Sequence, residues 1–281
     1  MSWANEVMSN TRWTIADLPW DQFNPMKVDA DLLAVAKAAS LVEYNARDYA
    51  RYLSNVFSGD AEFQQSMKSW AEEEVQHGAA LGQWAERADP EFNFAKASAR
   101  YSAGFRVDLN AQTSIRGSQV GELIARCIVE TGTSSYYTAL ADATAEPVLK
   151  AICRNIAADE LRHYKLFYGY LKRYLSRDAI NRLQRIKIGL ARIGESEDDE
   201  LAYAYFAANA PAGAVYDHNT YTTIYAAQAY RFYRRHHVER VVAMVFKACG
   251  LKPHTVWQGI ANRVAWQLLR VRHVRAMRKA A

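Results

Sequence analysis

The chain has 281 residues, of which 50% are hydrophobic and 12% aromatic, with 13 glycines and 6 prolines. This composition excludes a disordered or collagen-like chain, and the length predicts one large domain or two modest ones. The net charge of +5 is unevenly spread: residues 228–281 carry 12 basic residues and one acidic residue, whereas residues 1–227 carry 23 basic and 29 acidic residues. The basic tail is either a solvated helix face or a surface for an acidic partner, a phosphate-bearing ligand or an anionic membrane.

Helix-forming residues dominate almost every segment after residue 28, without period-two alternation, which predicts an all-α fold. Asp60 is a predicted N-cap, and Pro147 is expected in the first turn of its helix, where proline is tolerated. Residues 89–114 lack a clear pattern and are predicted to form a long connection. The predicted helices are 29–57, 60–88, 118–141, 145–174, 178–193, 218–248 and 253–279, with an acidic stretch at 195–200 and a loop near 211–213.

These elements predict three parts of the chain. An N-terminal arm covers 1–28 and carries three tryptophans, Trp3, Trp13 and Trp20. The first four helices form one unit over 29–175. A helical extension with the basic tail, 176–281, is expected to pack on that unit.

Cysteine content and hydropathy bear on the compartment. Three cysteines are too few and too scattered for a disulfide framework, and we expect them to be small buried residues in a reducing compartment: Cys127, Cys153 and Cys249. No apolar run approaches the roughly 18 residues of a membrane span. The first six residues are not typical of a signal peptide. We therefore expect a cytoplasmic protein without a transmembrane segment.

Two Glu-x-x-His motifs carry the main chemical signal. The second helix contains Glu74-x-x-His77 and the fourth contains Glu160-x-x-His163. Residues three apart share a helix face, so each pair aims one carboxylate and one imidazole at the same point. Each pair is therefore half of a possible metal site.

Single glutamates on the other two helices complete the pattern. Glu43 and Glu130 lie among small and apolar residues, where an unpaired carboxylate is costly and a bound metal would offset that cost. The spacing is 31 residues from Glu43 to Glu74 and 30 from Glu130 to Glu160. Such a spacing returns the chain to the same height in an antiparallel helix pair. Each half of the chain is therefore predicted to contribute a Glu opposite a Glu-x-x-His at matched height.

This arrangement resembles that of ferritin-like di-iron carboxylate bundles, with one long crossover between helices two and three. The motifs Glu73-Glu74-x-x-His77-Gly78 and Asp159-Glu160-x-Arg162-His163 are similar to those of the soluble acyl-carrier-protein desaturases and related di-iron oxygenases. The resemblance implies a ferritin-like four-helix bundle with additional C-terminal helices. It also implies two iron ions, with manganese and iron as the alternative pair, bound by Glu43, Glu74, His77, Glu130, Glu160 and His163.

The resemblance also implies roles for the neighbours of these ligands. Asp159 would accept the ring N–H of His77, and Glu73 would do the same for His163. Thr133 matches a hydroxyl beside the oxygen pocket, with Ser134 as the competing candidate; the alternative for Thr133 is a bond to its own helix. Three tyrosines neighbour the ligands and could relay electrons or a radical, but we interpret them as structural: Tyr44, Tyr137 and Tyr164. We interpret His236-His237 as surface residues.

The leading functional hypothesis is an oxygen-dependent di-iron oxidoreductase, an oxygenase or desaturase that oxidises an organic substrate. The additional helices favour it, because ferroxidases and peroxidases of the ferritin and rubrerythrin type need no such extension. Those iron-handling proteins are the alternative, followed by a tRNA-modifying hydroxylase and a purely structural bundle without metal.

The hypothesis names several partners. Dioxygen and an external electron donor are required, and the basic tail is a candidate surface for an acidic carrier or redox protein. Nucleic acid is a less favoured partner of the same tail. A homodimer is common in the families that the chain resembles.

Overall fold

The computed structural model describes residues 3, 4, 7, 13–178, 180–195 and 199–280. Within these residues the chain is helical and has no strand, which confirms the predicted all-α bundle. Three short 3-10 turns precede the first long helix. The α-helices are α1 Ala30–Tyr44, α2 Ala46–Val56, α3 Ala61–Ala88, α4 Phe94–Gly104, α5 Gln119–Ala143, α6 Pro147–Leu175, α7 Arg182–Gly194, α8 Asp199–Asn209, α9 His218–Tyr230, α10 Arg235–Ala248 and α11 Val256–Ala280.

Local sequence signals determine where the bundle helices begin. The Asp60 carboxylate accepts the backbone N–H of Phe63 and caps α3, as predicted. Pro147 is the first residue of α6, also as predicted. The Glu146 side chain caps α6 through the N–H of Leu149 and also accepts the indole N–H of Trp84, so the cap ties α6 to α3.

The predicted first helix, 29–57, is wrong in one respect: it is divided at Asn45 into α1 and α2. The Asn45 N–H bonds to the carbonyl of Val42, which tightens the last turn of α1. A new helix then starts at Ala46, three residues after Glu43. The division therefore lies beside one of the predicted ligands.

The pairs α5–α6 and α1–α3 pack along their lengths, and α3 also contacts α6. Buried apolar residues form two clusters along this bundle. The Trp70 cluster includes Phe63, Met67 and Phe167, and the Trp84 cluster includes Leu81 and Ile152. On each of the four bundle helices the predicted glutamate ligand lies between the two clusters. A polar layer therefore crosses the bundle at mid-height.

The long connection, 89–114, contains a helix that the sequence pattern did not predict. Asn93 caps α4 through the N–H of Lys96. Only Ala97 and Tyr101 are buried on it. Two buried positions are too few to produce a recognisable helical periodicity in the sequence. The helix packs on α8, where Glu200 accepts the hydroxyl of Tyr101.

The extension also differs from its prediction. The acidic stretch at 195–200 lies partly outside the described residues, but its end opens α8, whose first turn carries Asp199 and Glu200, where carboxylates favour a helix N-terminus. The predicted helix 218–248 is divided at Arg231–Arg234, because Arg234 is extended and precedes α10. The helices α8 and α10 pack on α1 and α5, and α11 packs on α9 and α10.

No helix in the described part of the chain combines the length and the apolar character needed to cross a bilayer. The predicted arm, 1–28, is described only from residue 13 onward apart from Trp3, Ala4 and Val7. The first six residues, on which the signal-peptide prediction rests, lie mainly outside the described residues. All three cysteines are free and buried, in agreement with the sequence.

Candidate metal centre

His77 lies at the centre of one half of the polar layer. Its Nδ1 is 3.1 Å from Oε2 of Glu74, 3.4 Å from Oε1 of Glu160 and 3.7 Å from Oε2 of Glu43. The imidazole is fully buried, and the three carboxylates are nearly so. One imidazole nitrogen and three carboxylates from α1, α3 and α6 therefore converge on one point.

His163 occupies the equivalent position in the other half. Its Nδ1 lies 3.1 Å from Oε1 of Glu74, 3.6 Å from Oε2 of Glu130 and 4.0 Å from Oε2 of Glu160. Glu74 and Glu160 thus face both imidazoles, each with a different oxygen. Glu43 and Glu130 each face one imidazole. The structure brings all six predicted ligand residues together in two overlapping groups.

These donors fit a pair of metal ions. Within the part of the chain that the structure describes, both oxygens of Glu130, Oε1 of Glu160 and Nδ1 of His163 are buried without a hydrogen-bond partner. Such atoms are costly unless something binds them. Each group of four donors lies within 4.8 Å, a size that one cation can span. Carboxylate oxygens with one imidazole per group, and no cysteine, suit iron or manganese.

Electrostatics of the cluster also favour cations. Burial and the neighbouring Glu74 raise the pKa of Glu43 to about 8. Burial also raises the pKa of Glu130 well above its usual range. Burial alone would lower the pKa of His77 and of His163, but the surrounding carboxylates raise both well above the ordinary value. Protons therefore offset the negative charge of the metal-free cluster, and bound cations would displace them.

A second ring of hydrogen bonds orients the two imidazoles. Nε2 of His77 lies 3.0 Å from Asp159, and Nε2 of His163 lies 2.9 Å from Glu73. Arg162 donates to both of these carboxylates, at 2.8 Å to Asp159 and 2.9 Å to Glu73. Each outer nitrogen is thus held by a carboxylate, which leaves Nδ1 directed at the centre of the cluster.

The two hydroxyl candidates have different surroundings. Oγ1 of Thr133 lies 2.6 Å from Oε2 of Glu160, and 3.1 to 3.2 Å from two backbone carbonyls of its own helix. Since a hydroxyl has one proton, the shortest contact places that proton toward Glu160. Ser134 instead donates to the backbone carbonyl of Ala157. Of the two, Thr133 is the one that contacts a predicted ligand.

One of the three nearby tyrosines contacts the cluster. The buried hydroxyl of Tyr137 donates to Oε1 of Glu43 at 2.5 Å. Tyr164 donates to the carbonyl of Met244, and Tyr44 is 40% exposed. Tyr137 therefore orients a carboxylate of the cluster, which the sequence interpretation as a structural tyrosine missed.

Family membership follows from a comparison with protein-family models. The model described as "Fatty acid desaturase" matches residues 43–244, a range that begins at Glu43 and includes all six clustered residues. The chain belongs to the fatty acid desaturase family. Membership in this family makes the protein an oxidoreductase. A comparison with curated proteins finds no match.

The arm of this desaturase-family protein supplies one residue that the sequence did not indicate. The indole N–H of Trp13 donates to Oδ2 of Asp159 at 2.8 Å, and the ring lies parallel to that of His77. The Gln76 amide donates to the carbonyl of Trp13 and holds the arm in place. A hydrogen-bonded chain thus runs from Trp13 through Asp159 to His77. In the sequence, the one sign of a role for Trp13 was its occurrence as a tryptophan in the predicted N-terminal arm.

The interpretation of His236-His237 as surface residues needs correction. His236 is exposed, but His237 is buried, and its Nε2 lies 3.0 Å from the carboxylate of Asp142 at the end of α5. Its Nδ1 accepts the backbone N–H of Arg234. No local pattern connects the two residues, because Asp142 lies 95 residues away from His237 in the chain. His237 therefore links the start of α10 to the bundle.

Proposed function

We propose that this family member is an oxygen-dependent di-iron oxidoreductase that acts on a fatty acyl chain, either as a desaturase or as an oxygenase. The observation that carries the proposal is the pair of overlapping donor groups that share Glu74 and Glu160. Two iron ions bound there would supply the reducing electrons for dioxygen. In a desaturation, the acyl chain loses two hydrogen atoms from adjacent carbons, and an external donor supplies two further electrons with two protons. Dioxygen leaves as two water molecules.

Residues of the chain would hold and orient the ions. Glu74 and Glu160, which belong to both donor groups, would hold both ions together with Glu43 and His77 in one group and Glu130 and His163 in the other. Asp159 and Glu73 would keep the ring protons of the ligating imidazoles on the outer nitrogens. The Trp70 and Trp84 clusters exclude water on both sides of the polar layer, which strengthens the electrostatic interactions within it.

Two further residues would serve the reaction. Thr133 presents a proton at Oγ1 beside Glu160, where it would be available during dioxygen reduction. Trp13, partly exposed and bonded to Asp159, would receive electrons from the external donor and pass them toward His77. The protein's part is thus to bind the ions, to hold one proton and to conduct electrons.

An iron-handling protein without an organic substrate is the second candidate. A pocket of about 110 Å³ lies against the outer side of the cluster, lined by Trp13, Glu72, Glu73, Gln76, Asp159 and Arg162. Typical ligand pockets measure roughly 300 to 1,000 Å³. Five of the six residues that line this pocket are charged or polar, and its size suits ions and water, which favours a path for iron.

Metal content and turnover test the proposal together. Protein purified from iron-supplemented cells should contain about two irons per chain, whereas Glu160→Ala with His163→Ala should contain none. With a reductant, dioxygen and acyl chains presented free, as thioesters or on a carrier protein, mass spectrometry should find an acyl product that is lighter by two hydrogens or heavier by one oxygen. Metal binding that survives the double substitution would refute the site. Oxidation of added ferrous iron without any acyl product would support the second candidate.

A further inference from the structure

The terminal helix α11 carries a row of exposed apolar residues that no other part of the described chain covers. Trp257 is 75% exposed and Leu268 is 57% exposed. A buried Gln258 and a buried Ala276 mark the face by which α11 packs on the rest of the extension. The exposed apolar residues of α11 are Val256, Trp257, Ile260, Val264, Leu268, Val271, Val274 and Met277.

Helix geometry puts most of these residues on one line. Positions 257, 260, 264, 268 and 271 recur every three or four residues, so they follow one face of the helix. At about 1.5 Å per residue this line is roughly 21 Å long. We call it the outer stripe. Single exposed apolar residues are common on protein surfaces, but a continuous stripe of this length marks an interaction site.

Basic residues border the outer stripe on both sides. Arg263 and Arg270, seven residues apart, lie along one side, and Arg272 and Lys279 lie along the other. Arg275 and Arg278 follow at its end, and α11 contains no acidic residue. The stripe and its borders thus combine apolar contact with a strongly positive charge.

This charge pattern decides between the possible occupants. A second copy of the chain would bring arginines against arginines in either helix orientation, which is unfavourable. A protein partner would need an acidic groove shaped to a convex helix. An anionic lipid bilayer matches both the apolar stripe and its positive borders and needs no groove. The apolar side chains would enter the boundary of the acyl chains, while the arginines reach the headgroups.

We propose that α11 lies on the surface of anionic membranes through its outer stripe, with its basic borders at the headgroups. The attraction is electrostatic at long range and apolar at contact, so binding is reversible and weakens with salt. The metal centre takes no part in this binding. The proposal therefore holds or fails independently of the proposed function.

Vesicle flotation tests the proposal on the full-length, metal-loaded protein. We expect it to float with vesicles made of equal parts phosphatidylcholine and phosphatidylglycerol, to stay unbound with phosphatidylcholine alone, and to dissociate at high ionic strength. Val264→Glu with Leu268→Glu should reduce binding by about tenfold or more, because it removes apolar contact and adds repulsion. Arg263→Gln with Arg270→Gln should weaken binding and reduce its salt dependence.

A matched control uses two apolar residues of similar exposure on another helix. Leu183 and Leu190 on α7 are 78% and 64% exposed, and Leu183→Glu with Leu190→Glu should bind vesicles as the wild type does. Circular dichroism checks that each variant is folded. The proposal is overturned if the wild type ignores anionic vesicles or if both glutamate pairs bind equally well. It is also overturned if light scattering shows a dimer that only the Val264 and Leu268 substitutions dissociate.

Discussion

Gly78 on α3 faces the backbone of Tyr44 at the end of α1 so closely that a Cβ atom on it would lie 2.5 Å from the Tyr44 nitrogen. The same Cβ would lie 2.7 Å from the carbonyl oxygen of Ser40. Backbone atoms cannot move aside as a flexible side chain can. This glycine therefore permits the close approach that places Glu43 opposite His77.

We predict that Gly78→Ala pushes α1 away from α3. The expected loss of stability is about 1 to 3 kcal/mol, as for overpacking elsewhere, together with a loss of metal at the Glu43 and His77 half of the centre. Gly132→Ala is the matched control, because Gly132 is also helical and a Cβ there would lie more than 4 Å from every described atom beyond its own stretch of helix. Urea denaturation and metal analysis of both variants check the prediction. Equal metal content in the two would contradict it.

We predict that Trp13→Phe slows reduction of the metal centre by an external donor without changing its metal content. The substitution keeps an aromatic ring beside His77 but removes the N–H that bonds to Asp159. Stopped-flow absorbance should show reduction slower by about tenfold or more, equivalent to roughly 1.4 kcal/mol in the barrier. Trp20→Phe is the control, since its N–H donates to the carbonyl of Ile15 within the arm. If the two variants are reduced at the same rate, the Trp13 path is wrong.

We predict that Thr133→Val uncouples dioxygen consumption from substrate oxidation. Valine has a similar shape but cannot donate to Glu160, so the metal content should be retained while the yield of acyl product per dioxygen falls. Thr138→Val is the matched control: Thr138 lies on the same helix, and its hydroxyl donates to the backbone carbonyl of Ser134. An oxygen electrode combined with product quantification measures the ratio. An unchanged ratio in Thr133→Val would leave its hydroxyl with a structural role only.

We predict that the metal-free protein loses stability as the pH rises from about 4.5 to about 8. Burial raises the pKa of Glu43 to about 8 in the folded state from 4.5, so over this range the folded state binds more protons than the unfolded state. The free energy of unfolding therefore falls with rising pH. The raised pKa values of His77 and His163 act in the same direction above about pH 6.5.

Urea denaturation in the presence of a chelator, at pH values from acid to mildly alkaline, measures this slope. Glu43→Gln should flatten it between its two pKa values, because glutamine does not titrate. Metal affinity should show the opposite trend and increase with pH, since binding releases protons. A stability that rises with pH in the metal-free wild type would show that the cluster is not protonated as described.

The sequence intervals between the glutamates explain why the carboxylate and histidine cluster could be predicted from the sequence. The intervals from Glu43 to Glu74 and from Glu130 to Glu160 are set by helix length, which follows from short-range pattern. The two Glu-x-x-His pairs then show which face of each helix carries the donor side chains, because residues three apart share a face. Their assignment as ligands stays a prediction, as does the division into arm, bundle and extension.

Long-range contacts explain what sequence analysis missed. Trp13 reaches Asp159 across 146 residues, and Asp142 reaches His237 across 95, so no local pattern connects them. The helix α4 shows too few buried positions to produce a visible period. The division after Glu43 depends on one tightened turn at Asn45, where neither glycine nor proline interrupts the sequence.

Under the proposed function, the polar layer between the Trp70 and Trp84 clusters would make iron a component of the folded core. Each bundle helix contributes a carboxylate to this layer. Without cations, the layer between the two apolar clusters therefore contains buried charge that lowers the stability of the fold. Iron supply would then set how long the protein persists: chains that acquire iron are stabilised by mass action, and chains that do not open more often at mid-height. In iron-starved cells we therefore expect the amount of this oxidoreductase to fall through proteolysis, rather than an inactive protein to accumulate.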